Sequence, residues 1–397
     1  MGTELVTPGH PPPLDTLIVM GIAVGVLRAH PAASIEVKKQ GSSYRITIDI
    51  DGQITWDRVY EALSERMLFE VERLSYGWGN LYSAFGPQRG IKPKDLRVRR
   101  FEEFLRRRFE ELVELARKDF PKIAQEYSEQ SQHAAGEGRG GKRKKLYTAY
   151  LPIAPWAGKY FAGTYEYREE PYTLCPLCSF LAWSGILSSS SVITYVAEGK
   201  RGTIYAVPDP IRVRDYDLAL LALVFSEKKG GRRFRNDIPL LAAPLLILAS
   251  GETVWPIRGE YGLYVWKYEG AGNFLGIKGF AQLPLSPLLE FVARAKARGK
   301  YLPRLIGYLA SRKGDPSLIA LITECLAYGE PDPYTVVRSI WSLLSRAEDE
   351  RGRRVLRWLD KGVAEELFEV WKKYWEGHRA GGTPSSATTV AGTGSWT

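Results

Sequence analysis

Apolar residues run almost unbroken from Leu14 to Ala29, with Asp15 near the start and Pro31 past the end, which predicts a buried helix. Ile35 to Lys39 and Tyr44 to Ile50 predict two strands around the turn Gln40-Gly41-Ser42. The second alternates cleanly at Tyr44, Ile46, Ile48 and Ile50. From Thr55 to Arg73 the period lengthens to that of a helix, with Trp56, Val59, Tyr60, Leu63, Met67 and Val71 on one face. A long amphipathic helix is predicted over residues 95–131, with Phe101, Leu105, Phe109, Leu112 and Ala116 as its stripe.

The middle of the chain is less regular. Residues 146–173 are irregular and aromatic, and a helix is predicted from Cys175 to Leu187, ending in four serines. Val192 to Val196 and Thr203 to Val207 read as a hairpin around Glu198-Gly199-Lys200-Arg201-Gly202. Leu218 to Phe225 and Pro239 to Ala249 are apolar, and Thr253 to Ile257 and Leu263 to Trp266 read as strands. The glycine-rich run Gly270 to Gly276 misses the dinucleotide-binding spacing by one position and reads as a turn.

After about residue 284 helical periodicity takes over. Helices are predicted over 286–298, 301–313, 316–328, 333–347 and 352–376, with short connections that fit an antiparallel bundle. The fold expected is α+β: a mixed α/β domain over residues 1–283 with a degenerate zinc-knuckle-like insertion, then a helical bundle over 284–378. A Gly/Ser/Thr-rich tail, read as disordered, completes the chain over 379–397.

Composition adds a partner. The formal net charge of +10 implies a polyanion, most often nucleic acid. The charge is clustered. Arg97, Arg99, Arg100, Arg106, Arg107 and Arg108 fall on the long helix, where neighbouring glutamates can pair with them at i,i+4. Arg139, Lys142, Arg143, Lys144 and Lys145 fill a glycine-rich linker (136–145), and Lys228, Lys229, Arg232, Arg233 and Arg235 form a third cluster. Gly-flanked basic loops suit phosphate contact without base reading. Arg106, Arg107 and the two loop clusters are therefore the candidate nucleic-acid-binding residues.

Metal and catalytic chemistry are sparse. Cys175-Pro176-Leu177-Cys178 has the spacing of a zinc knuckle, but the third cysteine, Cys325, sits in an apolar run and the four histidines are scattered. Cys175 and Cys178 thus read as a degenerate zinc site, a reduced pair at a helix start, or a redox dithiol. No cofactor other than zinc suggests itself. Hydrolase and metalloprotease motifs are absent, and Asp49 with Asp51 is the one carboxylate pair a metal-dependent nuclease could use. Three asparagines, three methionines and three cysteines suggest a heat-adapted source. With so few cysteines and no basic segment ahead of the apolar run Leu17 to Leu27, a cytoplasmic protein without membrane attachment is expected.

The order of parts resembles the large subunit of the archaeal type I-A (Apern-subtype) CRISPR Cascade surveillance complex. The resemblance is carried by Thr7-Pro8-Gly9 leading into Leu14-Asp15-Thr16-Leu17 and Gly21, and by the strand pair that follows. It continues in Tyr172 to Cys178 running into Leu181-Ala182 and Gly185-Ile186-Leu187, and in the helical last third. It implies a non-catalytic subunit at the 5′ handle of the guide RNA, beside the backbone, foot and small subunits. Such a subunit would survey double-stranded target DNA for the protospacer-adjacent motif, help open it, and recruit the helicase–nuclease. A stand-alone basic DNA-binding protein and, more remotely, a metal-dependent nuclease are the alternatives.

Overall fold

The computed structural model describes residues 2–73, 98–128, 147–149, 172–226, 232–251, 259–271, 274–299, 301–346 and 350–376. Its organising element is a sheet built on one long strand. The sheet comprises β1 (Thr3–Val6), β2 (Ser34–Gln40), β3 (Ser43–Asp49), β6 (Ser191–Ala197), β7 (Lys200–Arg214), β8 (Arg232–Phe234), β9 (Glu260–Ala271) and β10 (Phe274–Pro284). A separate two-stranded piece pairs β4 (Tyr147–Ala149) with β5 (Tyr172–Leu174). All pairings are antiparallel except that of β6 with β8.

β7 carries two neighbours end to end along one edge. Residues 200–206 pair with β6 and residues 212–214 with β2, while β9 runs along the opposite edge. Pro208 and Pro210 lie in the gap where β7 has left β6 and not yet met β2. There a missing N–H costs the ladder least. Between them Asp209 is fully buried and takes the charge of Lys39 at 2.6 Å. It also accepts hydrogen bonds from Tyr44 (2.5 Å) and Gln282 (3.2 Å), while Lys39 donates to Tyr264 as well. Five strands are thereby pinned at one carboxylate that burial would otherwise penalise.

The tight turns follow from their residues. Glu198 and Gly199 both have positive φ, the two-residue turn whose twist suits a hairpin, and Ala197 pairs with Lys200 across it. Gly41 supplies the positive φ at the first position of the β2–β3 turn.

Helices cover the sheet. α1 (Leu14–Ala29) and α5 (Pro176–Ser189) are apolar all round, and every residue of α5 is buried. They pack on each other and on β7. α6 (Tyr216–Ser226) packs beside them, and α2 (Trp56–Arg73) and α3 (Val98–Ala116) lie outside. Phe109 meets Trp183 edge-on across the α3–α5 contact, with ring centres 5.3 Å apart. The α1–α5 crossing is made backbone to backbone. A methyl group on Gly21 would collide with the carbonyl of Leu181, and one on Gly185 with the carbonyl of Leu17.

The remaining helices are α7 (Ala243–Ser250), α8 (Ser286–Ala297), α9 (Tyr301–Leu309), α10 (Ser317–Tyr328), α11 (Pro333–Ser345), α12 (Glu350–Trp358) and α13 (Ala364–Trp371). α7 packs on β7, α8 on β9 and α10 on β10, and the later helices pack on these. Residues 203–210 of β7 and 261–268 of β9 are buried whichever way they point, whereas β2 and β3 alternate. A single buried cluster runs from Leu5 to Trp371.

Several expected boundaries move. The long helix ends at Ala116. Pro121 follows, and the chain continues as a single tight turn and the short α4 (Ile123–Glu126). The second strand of the central hairpin extends to Arg214. A full strand, β10, begins inside the run Gly270 to Gly276 that reads as a turn and continues to Pro284. The last helix is broken by a π-helical stretch at Leu359–Val363, where Gly362 has positive φ. The strand expected at Thr253 to Ile257 lies outside the described residues.

Because the glycine contacts are with backbone, no side-chain adjustment can relieve them. Gly185→Ala is expected to cost about 3 kcal/mol or more, read as a lower urea midpoint. An alanine variant as stable as the parent would show that the helices can move apart freely.

Candidate nucleic-acid interface

Two places gather the chemistry noted in the sequence: the heads of α1 and α5, and one end of the sheet. At the first, Cys175 caps α5, its Sγ accepting the backbone N–H of Cys178 at 3.3 Å. Cys178 is fully buried, with Tyr127 Oη 3.1 Å from its sulfur. Burial pushes its thiol well above the ordinary range, which favours the neutral form. Among the described residues no set of three His, Cys, Asp or Glu side chains is placed to hold a metal ion. In this arrangement Cys175 serves as the cap of α5, and Cys178 is buried as a thiol.

Asp15 lies close by. Its carboxylate accepts hydrogen bonds from the Thr7 hydroxyl and from the backbone N–H of His10 (3.1 Å), and the His10 ring bonds Tyr172 at 2.7 Å. Burial raises the Asp15 carboxyl from 3.8 to about 7, against the lowering effect of those donors. The lead-in Thr7-Pro8-Gly9 is therefore tied to the head of α1, and the strand before Cys175 is tied to the lead-in.

The second place is the hairpin end of the sheet. Thr203 pairs with Thr194 and Tyr268, Thr194 with Arg233, and Tyr268 with Ile277, making one row across five strands. Two residues nearer the tip, Arg201 pairs with Val196 and Gly270. Arg235 follows Phe234, which is level with Tyr195, so it comes level with Val196 and Arg201. With strands about 4.8 Å apart, Arg235 and Arg201 stand two strands apart on the same rim. Lys200, Arg201, Arg235 and Lys278 are exposed, with no ion pair among the described residues.

Of the nearby acids, Asp237 and Glu269 are engaged within the fold, while Glu198 is exposed in the hairpin turn. Lys267 pairs with Asp237 at 2.7 Å and reaches the carbonyl of Ile238 at 3.1 Å, and Tyr195 donates to Glu269 at 2.7 Å. The Lys267–Asp237 pair ties the segment after β8 to β9, which holds Arg235 in place. Gly202 is obligatory here, since a Cβ would enter the Tyr195 ring. The rim thus presents exposed cations on a stiff support, with Glu198 as an exposed acid among them, and side chains of this kind can contact phosphates.

The predicted site residues divide. Arg232 and Arg233 form the edge strand β8, and Arg235 joins the rim. Lys228, Lys229, Arg139, Lys142, Arg143, Lys144 and Lys145 lie outside the described residues. Arg106 is paired with Glu110 at 3.0 Å, as i,i+4 spacing allows, while Arg107 beside it is exposed. Both are on α3, in the helical layer, and not with β8. Asp49 closes β3 opposite Ser34, and Asp51 is exposed in the bend after it. The sequence reading missed Lys200, Arg201 and Lys278. Their charge was visible, but only the parallel β6–β8 pairing places Lys200 and Arg201 beside the third cluster.

Comparison with known proteins defines the class. The family described as CRISPR-associated protein (Cas_Csa4) matches residues 3–365 of this chain. A protein of Thermoproteus tenax named CRISPR system associated protein Cas8 is 28% identical over 222 residues, covering 55% of this chain and 60% of that protein. The chain belongs to the Csa4 family of CRISPR-associated proteins. Among the described residues no helix is long and apolar enough to cross a membrane.

Two outcomes test the first place. Cys175→Ser keeps a good helix cap, so its melting temperature should stay near that of the parent, with or without chelator. A collapse on chelation would instead establish a structural metal. Asp15 is protonated more readily in the folded state than in the unfolded state. Its contribution to stability is therefore complete below about pH 4 and is lost as pH rises through about 7. Asp15→Asn should flatten the fall in stability across that window; an unchanged slope in urea titrations at several pH values would assign it to other groups.

Proposed function

We propose that this chain is the non-catalytic large subunit of a type I-A CRISPR surveillance complex, and that the hairpin rim of its sheet grips the backbone of double-stranded target DNA. The observation that carries the reading is the family match over residues 3–365. The rim supports it physically. In guide-dependent recognition base pairing reads the sequence, and protein reads a short motif and the backbone. Unpaired cations on a fixed sheet end suit the second task.

In this reading the subunit also contacts the 5′ handle of the guide RNA, sits against the backbone, foot and small subunits, surveys the protospacer-adjacent motif and recruits the helicase–nuclease. The basic segments at 139–145 and 228–229 add phosphate contacts next to the guide or the target. The protein works in the cytoplasm of a heat-adapted archaeon.

The test has two arms. Tagged protein should co-purify with repeat-derived guide RNA and a repeating backbone subunit; recovery of neither would sink the subunit reading and leave a stand-alone DNA-binding protein. In the second arm, Lys200→Glu, Arg201→Glu and Arg235→Glu together should weaken duplex binding at least tenfold. They should also reduce the salt slope by about one for each phosphate that is no longer neutralised. Unaltered duplex affinity would make the rim a solvated edge.

A further inference from the structure

The head of α5 holds two thiols that the duplex-gripping rim leaves unused. Cys175 and Cys178 lie three residues apart at the helix start, where Cα atoms are about 5 Å from each other, within the roughly 4.4–6.8 Å that a disulfide spans. The Cys175 sulfur accepts the Cys178 backbone N–H at 3.3 Å and also hydrogen-bonds the Cys178 thiol. The two sulfurs differ in access. Cys175 is partly exposed, whereas Cys178 is fully buried against Tyr127, whose Oη lies 3.1 Å from its sulfur. Cys325, the third cysteine, is fully buried far along the chain in α10.

These placements give the sulfurs unequal chemistry. A thiol reacts as its thiolate. At Cys175 an amide N–H points at the sulfur, and the sulfur stands at the head of a 14-residue helix, whose dipole favours negative charge there. At Cys178 burial favours the neutral thiol, and the Asp15 carboxyl nearby acts in the same direction. An outer sulfur that ionises, touching an inner one that stays protonated, is the division of labour between an attacking and a resolving cysteine. The short span also bears on purpose. A cross-link stabilises least when the loop it closes is short, so a bond between residues this close contributes little as a structural staple. In a reducing compartment a disulfide is usually transient and redox-sensing.

We infer that Cys175 and Cys178 form a reversible thiol–disulfide site, with Cys175 the attacking sulfur, Cys178 the resolving sulfur, and small disulfides as the oxidant. The Cys175 thiolate attacks one sulfur of the small disulfide, forming a mixed disulfide and releasing a small thiolate. That thiolate takes the proton of Cys178, whose sulfur attacks the Cys175 sulfur and releases the second small thiolate. The second thiolate takes up the proton that Cys175 had lost. Two cysteine thiols are oxidised to one disulfide, and one small disulfide is reduced to two thiols. The test treats the folded, full-length protein with bis(2-hydroxyethyl) disulfide, blocks remaining thiols with N-ethylmaleimide and measures intact and peptide masses. The parent should lose two hydrogens at the 175–178 peptide, regain them with dithiothreitol, and keep Cys325 as a thiol throughout. Cys178→Ser should stop at a mixed disulfide on Cys175. Cys175→Ser should slow reaction at Cys178 by about tenfold or more, because the inner sulfur is not reached from solvent. The parent mass series decides the matter even where a variant folds poorly. The inference is overturned if the parent forms no 175–178 disulfide, if a mixed disulfide on its Cys175 persists unresolved, or if Cys325 reacts as fast as Cys175. It is also overturned if Cys178 in Cys175→Ser reacts at the parent rate, or if the pair reacts only after a co-purifying metal ion has been removed with chelator, which would make it a metal site.

Discussion

The helical layer over the first part of the sheet is arranged around the crossing of α1 and α5, where two glycines let backbones touch. Gly21 and Gly185 each face a carbonyl of the other helix, so the axes come closer than any side chain would permit. That closeness lets an uncharged helix such as α5 be buried along its whole length, with β7 on one side and α2 and α3 on another. It also brings the heads of the two helices together, so that Thr7, His10, Asp15, Tyr172 and Cys178 form one polar cluster inside an otherwise apolar layer. The electrostatic cost of burying Asp15 is part of that arrangement and is offset by hydroxyl and amide donors.

The elements with a simple period were legible in the sequence. α1 spans the residues its apolar run predicts, β2 and β3 alternate as expected, and the helices after residue 284 begin within a few residues of their predicted starts. What could not be read was long-range pairing. β7 is defined by partners on both edges, and nothing local says that a strand interrupted by Pro208 and Pro210 continues to Arg214. β10 hid behind its glycines because its pairing with β9 sets its conformation, and propensity along the segment does not.

The candidate site divides in the same way. Charge was visible in the sequence, but neighbourhood was not. Arg232, Arg233 and Arg235 were identified as a cluster, yet Lys200 and Arg201 join them only because β8 pairs in parallel with β6. Conversely Arg106 carries a charge that its own helix neutralises through Glu110. The cysteine pair shows why spacing alone leaves readings open: two residues between cysteines suit a metal knuckle, and they equally suit a thiol that caps a helix by accepting the amide three residues on.

β7 separates the region that holds the fold from the region that meets solvent charge. Its buried middle, Asp209 with the prolines on either side, is joined to strands throughout the sheet, whereas its first residues stand at a hairpin tip with no packing obligation. Lys200 and Arg201 can therefore change without disturbing Asp209, so the tip can be remodelled while the scaffold is inherited unchanged. Diversity among relatives should then concentrate at the ends of the long strands, and the two helix-crossing glycines should be the last positions to drift.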